Sequence, residues 1–379
     1  MRQFPLFFLF IIAVLLLPPH RCQSEGLTKN SDIKVAVFID LNGVQGSLGQ
    51  QALNGFLLGW QTAPPHLTQR IFLKIVNAKS NLELTQYLAE QIAPTVDIAA
   101  GFTDNNSIYA AGKAFEKSKV PFLSIGATDP TLPSKFSNYV FLTPFGDNLQ
   151  AEAAAEFGSK TFGKTCAIVW DNTSDYTRGL RSYFKSYFEK ISGKIVLEES
   201  FEGGCSIKEI GEKIHSLEIQ PDFIYLATLP DCIGEILFSL RSASVKLPVI
   251  GGDSFDTPTL KTEARNNVWY TTHAWLSTEN KDPAIENFLK LYSQAYQTAP
   301  THSFAALGFD SANLILQTIQ QTQHATSTTL LKRLEETQDF PGATGKITFT
   351  HSEHNPNKPV WIMQIKEGET SLAQEYIRE

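Results

Sequence analysis

The sequence lacks the signatures by which most enzymes announce themselves. No G-x-S-x-G elbow presents a serine, no H-E-x-x-H sets two histidines on one helix face, and no G-x-x-x-x-G-K-[ST] loop cradles phosphates. Gly43, Gly46 and Gly49 follow a GxxGxxG spacing, not the GxGxxG of a dinucleotide site, and read as loop glycines. His351 and His354 have no third ligand nearby and read as part of a solvated turn. Asp253 and Asp256 are close in sequence, but such a pair is ordinary in a polar loop. No catalytic residue, no metal and no cofactor is expected.

Clustered basic residues are also missing. The chain has 32 Lys and Arg against 39 Asp and Glu, a formal charge of −7. Nucleic acid is therefore disfavoured as a partner on electrostatic grounds, and none is expected. Long apolar runs are confined to one place. Leu6 to Leu17 (LFFLFIIAVLLL) is unbroken, but a bilayer span needs about 20 residues. With Arg2 before it, and with Cys22 and Ser24 as small residues ahead of Glu25, residues 1–24 read as a cleaved signal peptide. Cys22 could instead carry a lipid, although Pro19-His20-Arg21 lacks the small residues that lipoprotein processing prefers; an uncleaved anchor is the third alternative. Residues 1–24 hold two Arg and no acid, so cleavage takes the formal charge from −7 to about −9. The mature chain is expected outside the cytoplasm, periplasmic or extracellular.

Cysteine is scarce. Beyond Cys22 there are only Cys166, Cys205 and Cys232, which excludes a disulfide-built scaffold. Cys166 lies in the apolar run CAIVW and reads as a core thiol. Cys205 and Cys232 each follow a predicted strand and form the candidate disulfide, with three free buried thiols as the alternative.

What is present is a rhythm. Apolar runs of strand length alternate with segments of helical period: KVAVFID (34–40), then GQQALNGFLLGWQ (49–61), then IFLKIV (71–76), then LELTQYLAEQIA (82–93), then VDIAAG (96–101) and a helix over 107–118 before PFLSIG. The rhythm restarts after YVFLTPFGDN (139–148) with strands CAIVWD, KIVLEESF, DFIYLAT, LPVIGG and NVWYTTHAW. Continuous apolar strands separated by amphipathic helices predict parallel sheets covered on both faces. The chain is longer than one domain usually runs, so two α/β doubly wound lobes are expected. The tail departs from this pattern, with helices over 282–296 and 303–321 and then GKITFTHSEHNPNKPVWIMQIKEG, which reads as one hairpin.

Ligands of open parallel sheets bind beyond the carboxyl ends of the strands. This directs attention to 40–49, 101–107, 126–129, 171–176, 228–231 and 251–255. In PFLSIGATDP (121–130) a buried strand runs into Gly126, Ala127 and Thr128. Such small residues would bare backbone N–H groups, and the threonine would add a hydroxyl, a set suited to a carboxylate.

The ordered series NGVQGSLGQQALNGFLLG, GFTDNNS, KVPFLSIGATDPTL, CAIVWDNTSDYTRGLRSYFKSYFEKISGKIV, PDFIYLATLPDCIGEIL, LPVIGGDSF and FAALGFDSANLIL is similar to the leucine/isoleucine/valine-binding family of type I periplasmic binding proteins. The resemblance spans about 32–368. It implies a clamshell of two lobes joined by three crossover strands near Phe145, Trp275 and Gly345. Lobe one would be 32–145 plus 277–340, and lobe two 146–276 plus 341–379. It implies a small-molecule ligand, an amino acid or a related amide or acid, delivered by a monomer to an ABC-type membrane permease. The alternative within the same fold is a ligand-sensing module that signals to a regulator or receptor. Carried over by position, Asn105, Gly126 and Thr128 would hold the ligand carboxylate and Asp253 its ammonium. Tyr176 would close over the ligand, and Phe304 would line the side-chain pocket. Leu48 and Leu229 stand where relatives often have aromatics, Asn105 stands where they have a hydroxyl, and Asp253 is shorter than their glutamate.

Overall fold

The alternation along β1 (Ile33–Ile39) sets the layers of the first sheet. Val35, Val37 and Ile39 enter one buried cluster, and Ala36 and Phe38 enter another on the opposite face. In the computed structural model, residues 33–378 are described apart from 203, 206, 208, 258, 259 and 261–265. The expected signal peptide, residues 1–24 with Cys22, lies outside the described residues. β1 is joined by β2 (Ile71–Asn77), β3 (Ile98–Gly101), β4 (Phe122–Ser124) and β5 (Val140–Leu142) in the parallel order β2-β1-β3-β4-β5. Register keeps like faces together, with Val35 opposite Leu73 and Ile98, and Leu123 opposite Ala100 and Phe141. Helices Leu82–Ile92 and Asn105–Ser118 cover one face; Gly46–Thr62 and Phe304–Gln320 cover the other.

The second sheet repeats this logic. β6 (Thr165–Asp171), β7 (Lys194–Phe201), β8 (Phe223–Ala227), β9 (Val249–Gly251) and β10 (Asn266–Thr272) pair in parallel. Ala167, Val169, Ile224 and Leu226 pack on one side with helix Ile233–Ser242. Cys166, Ile168, Phe223 and Tyr225 pack on the other with helices Asp147–Thr161 and Asp175–Lys190. The two lobes are thus doubly wound, as the strand and helix periods predict. Cys205 and Cys232 are bridged with their Cα atoms 4.9 Å apart, and Cys166 is free and buried. No helix among the described residues is long and apolar enough to cross a membrane.

The tail differs from its sequence reading. After β11 (Phe340–Gly342), β12 (Gly345–Ile347) turns back on it, pairing Gly345 with Gly342. β13 (Val360–Lys366) does not pair with β12. It enters the second sheet antiparallel to β10 and forms a hairpin with β14 (Glu369–Tyr376), giving the order β14-β13-β10-β9-β8-β6-β7. The true turn is Glu367-Gly368, where both residues have positive φ. The Ser/His/Asn/Pro stretch is the long passage between the two sheets, and it is not all solvated. His354 is buried and stacks on Phe141 at 3.7 Å, while His351 is exposed. Helix Ser327–Glu335 was also hidden in the sequence. Its Ser/Thr run looks like a loop, but Thr326 and Thr329 cap it reciprocally.

Two close contacts hold the first lobe and its crossings. Helices Gly46–Thr62 and Phe304–Gln320 touch through their backbones. A Cβ on Gly55 would sit 1.7 Å from the Ala305 carbonyl oxygen, and one on Gly308 2.0 Å from that of Ala52. Beside them, the buried Asp310 carboxylate accepts from the backbone N–H of Ala343 (2.6 Å) and Thr344 (2.9 Å) and from the Thr344 hydroxyl (2.5 Å). The buried Lys358 ammonium donates to the Thr143 carbonyl at 2.9 Å and to the Thr344 hydroxyl. Residues from two of the passages between the sheets, 143 after β5 and 344 and 358 between β11 and β13, are thereby tied to one helix.

Burial lowers the Lys358 ammonium to about 8, against a raising influence of Asp310. The unfolded chain therefore binds more protons than the folded one between about pH 8 and 10.5, and stability attributable to this lysine rises with pH across that window. Relative to Lys358→Met, the wild type should gain unfolding free energy over this range, as read by chemical denaturation. A constant difference would show that the lysine titrates normally.

Candidate functional site

Between the carboxyl ends of the two sheets lies a cavity of about 370 Å³. All six residues singled out from the sequence line it: Asn105, Gly126, Thr128, Tyr176, Asp253 and Phe304. The first four segments come from strand ends or helix starts. Asn105 opens helix Asn105–Ser118, Gly126 and Thr128 follow β4, Tyr176 lies in the first turn of helix Asp175–Lys190, and Asp253 follows β9. Phe304 begins the helix that Gly308 presses against Gly46–Thr62.

Asp253 is the centre of a buried polar network. Its Oδ1 accepts from the Tyr176 hydroxyl at 2.6 Å and from Gln150 Nε2 at 2.8 Å, and its Oδ2 lies 3.0 Å from His273 Nε2. Gln150 is held in that orientation because its Oε1 accepts from the Asp253 N–H (3.0 Å) and the Thr271 hydroxyl (2.7 Å). Gln150 Nε2 also donates to Asp147 at 2.9 Å, so one amide bridges two buried carboxyl groups. Burial pushes the Asp253 carboxyl up, but His273, Tyr176 and Gln150 outweigh it and hold it below the usual carboxylate value. Burial, and then the charge of Asp253, push Asp147 well above its ordinary value. The two carboxyl groups are thus pushed apart, Asp253 below and Asp147 above the usual carboxylate value. Burial followed by the charges of Asp253 and Asp147 raises the Tyr176 phenol, which keeps it a donor.

The edge after β4 is not built as its composition suggests. The Gly126 N–H is not bared but donates to the Phe102 carbonyl at 3.0 Å. Ala127 N–H donates to Ser124 Oγ (2.9 Å), and the N–H groups of Thr128 and Asp129 both donate to Asn105 Oδ1 (3.0 Å each). Gly126 is small for another reason: a Cβ there would sit 2.8 Å from the Phe304 ring. Asn105 does not cap its helix either. That role belongs to Asp104, which accepts from Ser107 N–H at 3.0 Å, leaving the Asn105 side chain to clamp the 128–129 turn. The Thr128 hydroxyl lies in hydrogen-bonding range of Asp147.

Several participants gave little signal in the sequence. Gln150 sits inside a helix with no motif around it. His273 lies two residues before the end of the run NVWYTTHAW, which looks like uninterrupted strand, whereas β10 stops at Thr272. His302 also lines the cavity, two residues before Phe304. The lining includes the carboxyl groups of Asp104 and Asp253, the apolar side chains of Leu48, Leu229 and Phe304, and no Lys or Arg among the described residues. The Ser254 hydroxyl donates to the Thr228 carbonyl (2.7 Å), and that of Ser107 to Asp104 (2.7 Å). These hydroxyls are committed to shaping the walls. The arrangement is suited to enclosing a small solute that brings a positive group and an apolar part.

A family model described as periplasmic binding protein matches residues 32–370. Among solved structures, the chain is similar to the branched-chain amino acid transporter substrate-binding protein LivJ of Streptococcus pneumoniae in complex with isoleucine. Identity is 23%, coverage 91% of this chain and 99% of that one, and the TM-score 0.79. It is also similar to the leucine-binding protein LivK of Thermotoga maritima, at 22% identity, with the same coverages and a TM-score of 0.82. At these identities the likeness is one of fold. Among curated proteins it is similar to glutamate receptor 2.6 of Arabidopsis thaliana, 24% identical over 242 residues, which are 63% of this chain and 24% of that receptor. The chain spans about a quarter of the length of the curated relatives it matches.

Gly126→Ala should leave the fold intact, cost about 1–3 kcal/mol through overpacking, and displace the Phe304 ring toward the cavity. A crystal structure of the variant and its denaturation midpoint check this. An unmoved ring with unchanged stability would show that the contact is slack.

Proposed function

This chain belongs to the periplasmic binding protein family, a family of binding proteins and not of enzymes, and we propose that it is an exported receptor for a small amino-acid-like solute. The mature chain works as a monomer, captures the solute between its two lobes and hands it to an ABC-type membrane permease. Lobe one is 32–145 plus 277–340, and lobe two is 146–276 plus 341–379. Asn105 and Thr128 present the first-lobe face, Gly126 seats Phe304, Tyr176 shuts the second-lobe side, and Asp253 receives the ligand's ammonium group.

The observation that carries this reading is Asp253. A carboxylate kept charged and buried at a cavity wall, with no lysine or arginine in that lining, favours a ligand that brings the cation. Leu48, Leu229 and Phe304 offer an apolar surface for an aliphatic or aromatic side chain. A ligand touching both lobes favours closure only through its better fit to the closed state. The similarity to part of a plant glutamate receptor supports a second reading, in which the same module senses an amide, urea-like compound or small acid and signals to a regulator or receptor.

Thermal-shift titration of the mature protein with aliphatic and aromatic amino acids, short amides, urea and benzoate tests both. An amino acid should raise the midpoint in a concentration-dependent way. Asp253→Asn keeps the shape but removes the charge, and should weaken that amino acid at least tenfold, since breaking a buried pair costs about 3–5 kcal/mol. A hit on a neutral amide or on benzoate that survives Asp253→Asn would retire the ammonium role.

A further inference from the structure

We propose that His302 is a ligand-binding and specificity-determining residue: its Nε2–H donates to the acceptor oxygen of the solute, the carboxylate in an α-amino acid. This rests on the cavity being the solute site.

The argument starts from the donors along the first-lobe wall. The buried polar side chains there are Thr103, Asn105, Ser107, Thr128 and His302. The Thr103 hydroxyl donates to Gln45 Oε1 at 3.0 Å and that of Ser107 to Asp104 at 2.7 Å. Thr128 faces Asp147. The backbone N–H groups of residues 126–129 are all committed within the protein. Asn105 has spent its oxygen on the 128–129 turn, which leaves its amide nitrogen. The donors left on this wall are therefore the Asn105 amide and His302 Nε2.

Its tautomer is set by its surroundings. Nδ1 accepts from the Phe304 N–H at 3.1 Å, so the proton of the neutral ring is on Nε2. Nε2 has no hydrogen-bond partner among the described residues, yet it is not one of the sealed, unpartnered buried atoms, and the ring lines the cavity. The ring is braced edge-on against Phe304, with centroids 4.4 Å apart. Burial lowers the imidazole's proton affinity below the ordinary histidine value, against the raising influence of Asp256 and Asp253, which keeps it a neutral donor. That influence also means that His302 lies within electrostatic range of Asp253. Both residues line the same cavity, so a ligand carrying an acceptor and an ammonium has a partner for each, with an apolar side chain left for Phe304. An oriented neutral donor on an otherwise donor-poor wall discriminates strongly, because a ligand without the acceptor leaves it unpaired.

The test is calorimetric titration of wild type, His302→Phe and His302→Gln. The probes are leucine, isoleucine, valine and phenylalanine, and for the tightest of them the matching amine without the carboxyl group. His302→Phe should weaken the amino acid at least tenfold while changing the amine by less than twofold. His302→Gln, whose amide can donate, should recover part of the loss. Equal loss for amino acid and amine would make His302 a purely structural residue and overturn the proposal, as would an unchanged amino-acid affinity. No binding of any probe to wild type would remove the solute-site reading and this inference with it, a result distinguishable because the variants play no part in it. Independently of any ligand, ¹⁵N spectra of the His302 imidazole should report the Nε2-protonated tautomer. An Nδ1-protonated ring would overturn the proposal outright.

Discussion

A charged carboxylate at the wall of a cavity has to be held by something, and Asp253 is held from three directions. Gln150 reaches it from the helix that begins the second lobe, Tyr176 from the next helix, and His273 from the segment that leaves β10. Gln150 and Tyr176 lie near the starts of their helices and His273 directly follows β10, so each donor is placed by the element that carries it. The network therefore depends on the sheet's register, and the register on the strict alternation of Cys166/Ile168 and Ala167/Val169 into opposite cores. Moving any one element by a residue would leave the charge short of a donor, at a cost of about 3–5 kcal/mol, a sizeable share of a domain's net stability. The neighbouring Asp147 fits the same constraint. Of two buried carboxyl groups bridged by one amide, the better-donated one is held below the usual carboxylate value and the other is pushed above it.

How much of this could be read from the sequence follows from what each signal depends on. Period-two and helical patterning are local, so the layers, the parallel strands of the first lobe and the cavity's place at the strand ends were legible. The six residues chosen at those ends do meet in one cavity. What was misread is what depends on partners far away in the chain. The run GATD looked like a set of open N–H groups, but Phe102, Ser124 and Asn105 occupy them. Gly126 is small because Phe304, far along the chain, needs the room. β12 and β13 looked like one hairpin since both are apolar strands around a polar stretch, and only the sheet decides which partner each takes. His273 and His302 lie outside any motif, and a lone histidine acquires meaning only from what its two nitrogens touch.

The first lobe supplies the rigid side of the cavity. Glycine at 55 and 308 lets two helices meet backbone to backbone, a contact with no side chain to rearrange, and Phe304 and His302 stand at the end of that contact. The crossings are fastened to the same helix through Asp310. The first-lobe wall is therefore referenced to one helix, while the opposite wall, built from Tyr176, Leu229 and Asp253, stands on the second sheet.

The antiparallel seam between β10 and β13 has an outcome for biogenesis. When the chain is made from its amino end, β10 emerges long before β13, and the intervening stretch goes to build helices of the first lobe and the β11–β12 hairpin. Until β13 and β14 arrive, β10 is a bare parallel edge with Trp269 and Tyr270 waiting for cover, the kind of edge that recruits the wrong strand. A nascent chain arrested anywhere before Val360 is thus an aggregation hazard rather than a half-finished protein. The last few dozen residues, remote from the cavity, decide whether the rest of the chain stays in solution while it folds.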